Sequence, residues 1–247
     1  MSRGLGDVYK RQLLGELNQY RANENYRITE ALEIEYTYDS NRIEGNTLTL
    51  HETDMVVNKG ITIAGKGLRE HLEAINHKEA IDFIKDIAQK KEPISERVLL
   101  DIHAIVLHSI DKDNAGKYRR VPVIISGSKH IPPQPYLLQP QMDELFQWYE
   151  ANKDSMHPVV LAAQMHEKLV SVHPFIDGNG RTARLLMNLI LMQHGYPIAN
   201  IKGDNETRRR YYETLEEASS GDNSAFLEFI EGVVIQSLTY YLKIIRG

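Results

Sequence analysis

Apolar residues recur along this chain at helical spacing, and each run stops at a Gly or Pro, so the sequence is built to fold as a stack of helices. Leu72, Ile75, Ala80, Ile81, Ile84 and Ile87 stripe the segment 68–91, and 95–109 repeats the pattern after Pro93. Further helices are expected at 141–152, 158–172, 182–194, 206–219 and 225–245, with Gly or Pro at each joint. Upstream, 13–41 reads as two helices with a break around Asn23 and Asn25. Gly45 and Asn46 end the second, and Thr49 or His51 lies near the cap of a third. Only 121–126 has strand character, and Gly127-Ser128 follows it as a turn, so this part is expected to be a hairpin or flap. The fold class is mainly α, a single helical domain with a small β-hairpin flap. Its one seam, near 60–67, separates N-terminal helices at 13–65 from a core at 66–247.

With 247 residues, 42% of them hydrophobic, the chain can bury a substantial core. A formal net charge of −5 gives no general attraction to nucleic-acid phosphates, and a protein or nucleotide partner is expected instead. The absence of cysteine excludes disulfides, thiolate metal sites and a cysteine nucleophile. No apolar run reaches the roughly 18 to 20 residues of a membrane span, since the run from Leu185 to Met192 contains Asn188 and ends at Gln193. Residues 1–12 have no secretory h-region, which taken literally places the chain in the cytoplasm. Asp7-Val8-Tyr9-Lys10-Arg11-Gln12 looks like a translated sequencing adapter, so 1–12 is set aside as a non-native leader.

The chemistry concentrates in His173-Pro174-Phe175-Ile176-Asp177-Gly178-Asn179-Gly180-Arg181-Thr182-Ala183-Arg184, which runs straight into an apolar helix. Two glycines around Asn179 allow a tight turn that aims successive amides at a ligand, and the following helix start adds a positive dipole end. Anions suit such a place. Arg181 and Arg184 lie on adjacent turns and offer fork-shaped donors to phosphate, while Asp177 offers a hard oxygen to Mg²⁺. His173 stands at the loop mouth, and an imidazole there can take a hydroxyl proton near neutral pH. Singly, each of these residues has a bland structural reading. His166, seven residues earlier, is read as a packed structural histidine because the spacing of a zinc protease is absent.

In this order the residues match, at every defined position, the motif His-x-Phe-x-Asp/Glu-Gly-Asn-Gly-Arg-x-x-Arg, and the chain resembles the Fic family. The resemblance implies a protein adenylyltransferase that moves AMP from ATP, with Mg²⁺, onto a Ser, Thr or Tyr hydroxyl of a target protein, itself included. It makes His173 the general base and Asp177 the Mg²⁺ ligand. Gly178, Asn179 and Gly180 become the anion cradle, with Asn179 touching phosphate, Arg181 beside it and Arg184 on the γ-phosphate. Gly116-Lys117-Tyr118-Arg119 and 123–135 resemble the family's flap, so Val123, Ile124, Ile125, Ser126, Gly127 and Ser128 are expected to register the target by strand addition. Pro158-Val159 and 162–166 resemble the helix before the motif. Arg210-Tyr211-Tyr212 with 215–218 resembles the segment closing over adenine, and Ser219 stands where animal members offer an asparagine.

Ser40-Asn41-Arg42-Ile43-Glu44-Gly45 resembles the family's inhibitory motif, Ser/Thr-x-x-x-Glu-Gly/Asn. Ser40 and Glu44 are four apart and share one helical face. The resemblance implies that Glu44 pairs with Arg184 and so brakes transfer. If the same Glu44 orients a water against the phosphodiester, removal of AMP follows as a second activity. Two rivals stay open: a Fic-fold transferase using another phosphorylated donor, and a nucleotide-sensing regulator that binds protein through its flap. A homodimer is compatible with all three, and neither membrane nor nucleic acid is expected as a partner.

Overall fold

The computed structural model describes residues 3–20 and 26–246, with side chains from Lys10 onward. Ten helices follow in order among the described residues: α1 Arg3–Tyr20, α2 Tyr26–Ile43, α3 Leu50–Lys59, α4 Leu68–Lys90, α5 Glu96–Val106, α6 Leu138–Asn152, α7 Pro158–Val172, α8 Asn179–Gln193, α9 Asn205–Ser219 and α10 Ser224–Arg246. A 3-10 turn, Pro135–Leu137, leads into α6. The break expected at Asn23 and Asn25 lies outside the described residues. No described helix is long and apolar enough to cross a membrane.

The centre is α8, whose residues from Arg181 to Leu191 are all buried, as a helix apolar around most of its circumference must be. Helix α7 packs along it, α4 and α5 flank it, and α10 closes the outer side against α1, α7 and α9. Joints follow the sequence. Thr49 caps α3 in a capping box with Glu52, and Gly60 ends that helix in the left-handed conformation. Pro158 occupies the first turn of α7, and Asp204 caps α9 through the amides of Glu206 and Thr207. Lys10, fully buried, reaches Glu231 at 3.0 Å and ties α1 to α10.

The β-hairpin flap is not confirmed. Among the described residues no strand forms, and 121–126 is irregular backbone without a ladder partner. The local propensity is there, but a lone β-branched run has nothing to pair with, and strand identity needs a neighbour. A turn does form, closed by the Ser128 amide on the Ile125 carbonyl at 3.2 Å with Gly127 at φ +81°. The segment is held by side chains instead, as described below.

Candidate active site

The site forms where α7 ends, the loop 173–178 turns, and α8 begins. His173 caps α7 in the left-handed region (φ 49°, ψ 56°), a rare place for a non-glycine residue that sets its ring at the loop mouth. Burial pushes its pKa down to about 4. Arg119 and His130 push the same way against the Val170 carbonyl and Glu44, so the ring is neutral at pH 7 and able to accept a proton.

Phe175 anchors the loop. It is fully buried, stacks on His103 with centroids 3.6 Å apart, and exchanges two bonds with Asn179: its amide donates to Asn179 Oδ1 (3.0 Å), and Asn179 Nδ2 donates back to its carbonyl (2.9 Å). The Asn179 side chain therefore faces inward, which leaves its backbone amide as the group able to meet a phosphate. His103 locks the other flank. The Gly116 amide donates to its Nδ1 (3.0 Å), so Nε2 carries the proton and donates to the Asp177 carbonyl (2.9 Å), and burial holds its pKa near 4. Gly178 turns at φ +78°, where a Cβ would also crowd Val106 at 3.3 Å.

Asp177 Oδ1 accepts from the Gly178 amide at 2.6 Å, while its Oδ2 meets Arg69. Burial alone would raise its pKa, but Arg181, the Gly178 amide and Arg69 outweigh it and hold the carboxyl below its usual range. A single exposed carboxylate suits Mg²⁺, which usually takes one or two carboxylates with the rest of its shell from substrate phosphates and water. No cluster of three or more His, Asp or Glu able to hold a metal occurs among the described residues.

Arg184 is 1% exposed, and α2 reaches across to hold it: Nε donates to Ser40 Oγ (3.0 Å), and Nη2 donates to the Ser40 carbonyl (2.9 Å) and to Glu44 Oε1 (2.7 Å). Burial opposes its charge, yet Glu44 and the nearby tyrosines keep it firmly protonated. The Glu44 carboxylate lies in the first turn of α8, so close that a Cβ on Gly180 would stand 2.3 Å from Glu44 Oε1. An anionic group of this protein thus sits at a helix N-terminus beside a buried arginine, where a phosphate oxygen would go.

The two tyrosines of α9 take different roles. Tyr211 is buried behind Arg184, with its hydroxyl 3.1 Å from His166 Nε2 and 3.4 Å from Arg184 Nη1. Tyr212 is 42% exposed and donates to the Ile43 carbonyl (3.1 Å), tying down the end of α2. His166 is fully buried between Tyr211 and Phe226, and burial lowers its pKa to about 3. Ser219 Oγ donates to the Glu216 carbonyl at 2.8 Å at the close of α9.

Around the flap, Val123 to Ser128 lie beside the loop with Ile124 90% exposed. Arg119, itself buried, pins both ends of the segment to the catalytic loop: it donates to the carbonyls of His173 (2.9 Å), Val121 (3.0 Å) and Pro133 (2.7 Å), and its amide to that of Pro174 (2.9 Å). Glu216 of α9 receives the Lys129 amide at 2.9 Å and the Ser128 hydroxyl, bonds that lower its pKa. Arg69 and His103 were not singled out from the sequence as working residues, because nothing in their local spacing marks them; Glu216 was read only as part of the segment resembling the one that closes over adenine, and its bonds to the flap were not foreseen.

A model of the Fic/DOC family matches residues 93–191, which span α5 to most of α8. The sequence is 39% identical over 210 residues, 84% of this chain, to the protein adenylyltransferase Fic of Nematostella vectensis. The chain belongs to the Fic/DOC family. Its likeness to the protein adenylyltransferase Fic of Culex quinquefasciatus is similar, 39% over 85% of the chain. The chain spans about half the length of these relatives or less, 48% and 41% respectively. Among solved structures, it superposes on Fic-1 (residues 134 to 508) of C. elegans with a TM-score of 0.85 at 30% identity, covering 98% of this chain and 73% of that one. A Fic domain containing signaling protein of Bacteroides thetaiotaomicron gives 0.86 at 28% identity and 97% coverage of both chains. The Fic fold is thus present along nearly the whole chain, N-terminal helices included.

Proposed function

We propose that this Fic chain is a protein adenylyltransferase that moves AMP from ATP onto a Ser, Thr or Tyr hydroxyl of a protein, itself included, and that Glu44 restrains it. The observation that carries this reading is the Glu44 carboxylate in the first turn of α8, paired with the buried Arg184. A place that holds a carboxylate between a helix N-terminus and an arginine is chemically suited to a phosphate oxygen. Homologues named protein adenylyltransferase supply the donor class.

In this reading the backbone of Gly178 to Gly180 and the guanidinium of Arg184 hold the triphosphate, with Arg181 backing Asp177. Mg²⁺ held by Asp177 would neutralise charge on the phosphates. His173, neutral at pH 7, accepts the proton as the target hydroxyl attacks the α-phosphorus and the bond to pyrophosphate breaks. The irregular 121–126 segment, with Ile124 90% exposed, is the surface a target strand would meet. Glu44 competes with phosphate for Arg184, so restraint is reversible. Positioned at the reacting phosphate, Glu44 would also orient water for AMP removal; Glu44→Ala should abolish release of AMP from labelled protein, and unchanged release would exclude that role.

The donor is tested with the Glu44→Gly chain and ATP labelled at either the α- or the γ-phosphate. Protein should take up the α-label alone. Uptake of the γ-label would make the chain a kinase-like Fic protein, and uptake of neither, with nucleotide bound, would favour the sensor reading.

A further inference from the structure

Four charged side chains, Asp177 among them, close a ring beside the loop. Arg69 on the first turn of α4 meets Asp177 through Nη2 and Glu73 through Nε, the latter at 3.1 Å. Arg181 meets the same two acids from the other side, Asp177 Oδ1 at 3.4 Å and Glu73 Oε1 at 3.6 Å. The two arginines are unlike. Arg181 is buried, at 2% exposure, whereas the Arg69 side chain is 60% exposed and approaches the Asp177 oxygen that the loop leaves open.

We propose that Arg69 is a positioning residue that competes with the divalent cation for Asp177 and moves aside when the metal binds. This inference rests on the reading of Asp177 as the metal ligand. A guanidinium and a divalent cation drawn to the same carboxylate oxygen bring two positive charges within a few ångströms, and they repel at such range. Displacement is cheap for the arginine, because Glu73 keeps its second bond and solvent already covers most of the side chain. Arg181 stays in place, so the carboxylate keeps its orientation throughout. Glu73 also links the ring to the chain just after Glu44, since its Oε2 accepts from Asn46 Nδ2 at 3.0 Å.

The test is Mn²⁺ binding to the full chain in saturating ADP, followed by electron paramagnetic resonance of the free ion, which needs no turnover. Arg69→Ala should tighten the Mn²⁺ Kd by about twofold to fivefold, the worth of an exposed ion pair, and high salt should shrink that gain. Arg69→Lys, which keeps the charge, should stay close to wild type. Asp177→Asn should remove the protein-dependent Mn²⁺ signal. An unchanged or weaker Kd in Arg69→Ala, with Asp177→Asn still abolishing binding, overturns the role of Arg69 alone. Full Mn²⁺ binding by Asp177→Asn overturns both this role and the metal reading beneath it.

Discussion

Gly180 is the most crowded position of the site: a methyl there would stand 2.3 Å from Glu44 Oε1 and 3.1 Å from Arg184 Nη1. Gly180→Ala should therefore displace Glu44 without activating the enzyme, because the methyl occupies the space a phosphate needs; ATP binding by calorimetry should fall about tenfold or more. With His173 as the base, the pH response follows its pKa. A base with a pKa near 4 is already neutral above that value, so transfer should rise with pH through about 4 and stay level towards 7. A midpoint near the ordinary imidazole value of about 6.5 would contradict the burial argument. The contiguous residues of this site were legible in the sequence because one loop and one helix turn carry them all, from His173 to Arg184. Arg69 and His103 were not, since each meets the loop from another helix and has no local signature, and the bond of Glu216 to the flap was hidden because that residue read only as part of the 215–218 segment. Asn179 illustrates a subtler limit: its place in the cradle was readable, but the inward turn of its amide depends on Phe175 being buried under His103.

At the scale of elements, α2 is clamped over its last turn, just before Glu44. Asp39, 5% exposed, takes the Gly203 amide at 2.9 Å, Asn200 Nδ2 at 2.7 Å and Lys202 Nζ at 3.2 Å from the loop between α8 and α9, and Tyr212 holds the Ile43 carbonyl. Asp39→Ala leaves buried donors without acceptors, at a cost of about 1–3 kcal/mol, so Tm should drop by roughly 3–10 °C while basal transfer rises as α2 loosens. A lower Tm with unchanged transfer would separate the clamp from the brake. On the opposite side, Glu216 fixes the flap at Ser128 and Lys129. Glu216→Ala should raise KM for the protein target severalfold and leave the nucleotide Kd alone. The helices were readable because periodicity and Gly or Pro joints mark them independently of context. The flap strand was not, because its β-branched propensity finds no pairing strand among the described residues.

The whole molecule buries four histidines against the site: His77, His103, His166 and His173, the first well below its ordinary pKa and the others near 4, 3 and 4. Each is held neutral by burial, so between about pH 6.5 and 4 the unfolded chain binds more protons than the native one, and stability must fall as pH falls. Acid unfolding should be steep, up to about 1.4 kcal/mol per pH unit for each histidine, and His166→Gln should flatten it. Several ion pairs join the N-terminal helices to the rest of the chain, but the one between Glu44 and Arg184, 140 residues apart in sequence, reaches the His173–Arg184 motif, and that contact carries the central claim. Its most direct test is the initial rate of α-labelled AMP transfer to protein, in Mg²⁺ at pH 7, for wild type, Glu44→Gly, and Glu44→Gly with His173→Ala. The account predicts a rise of about tenfold or more in the single variant, the worth of one charge-assisted bond, and loss of labelling in the double variant. A single variant no faster than wild type would contradict it.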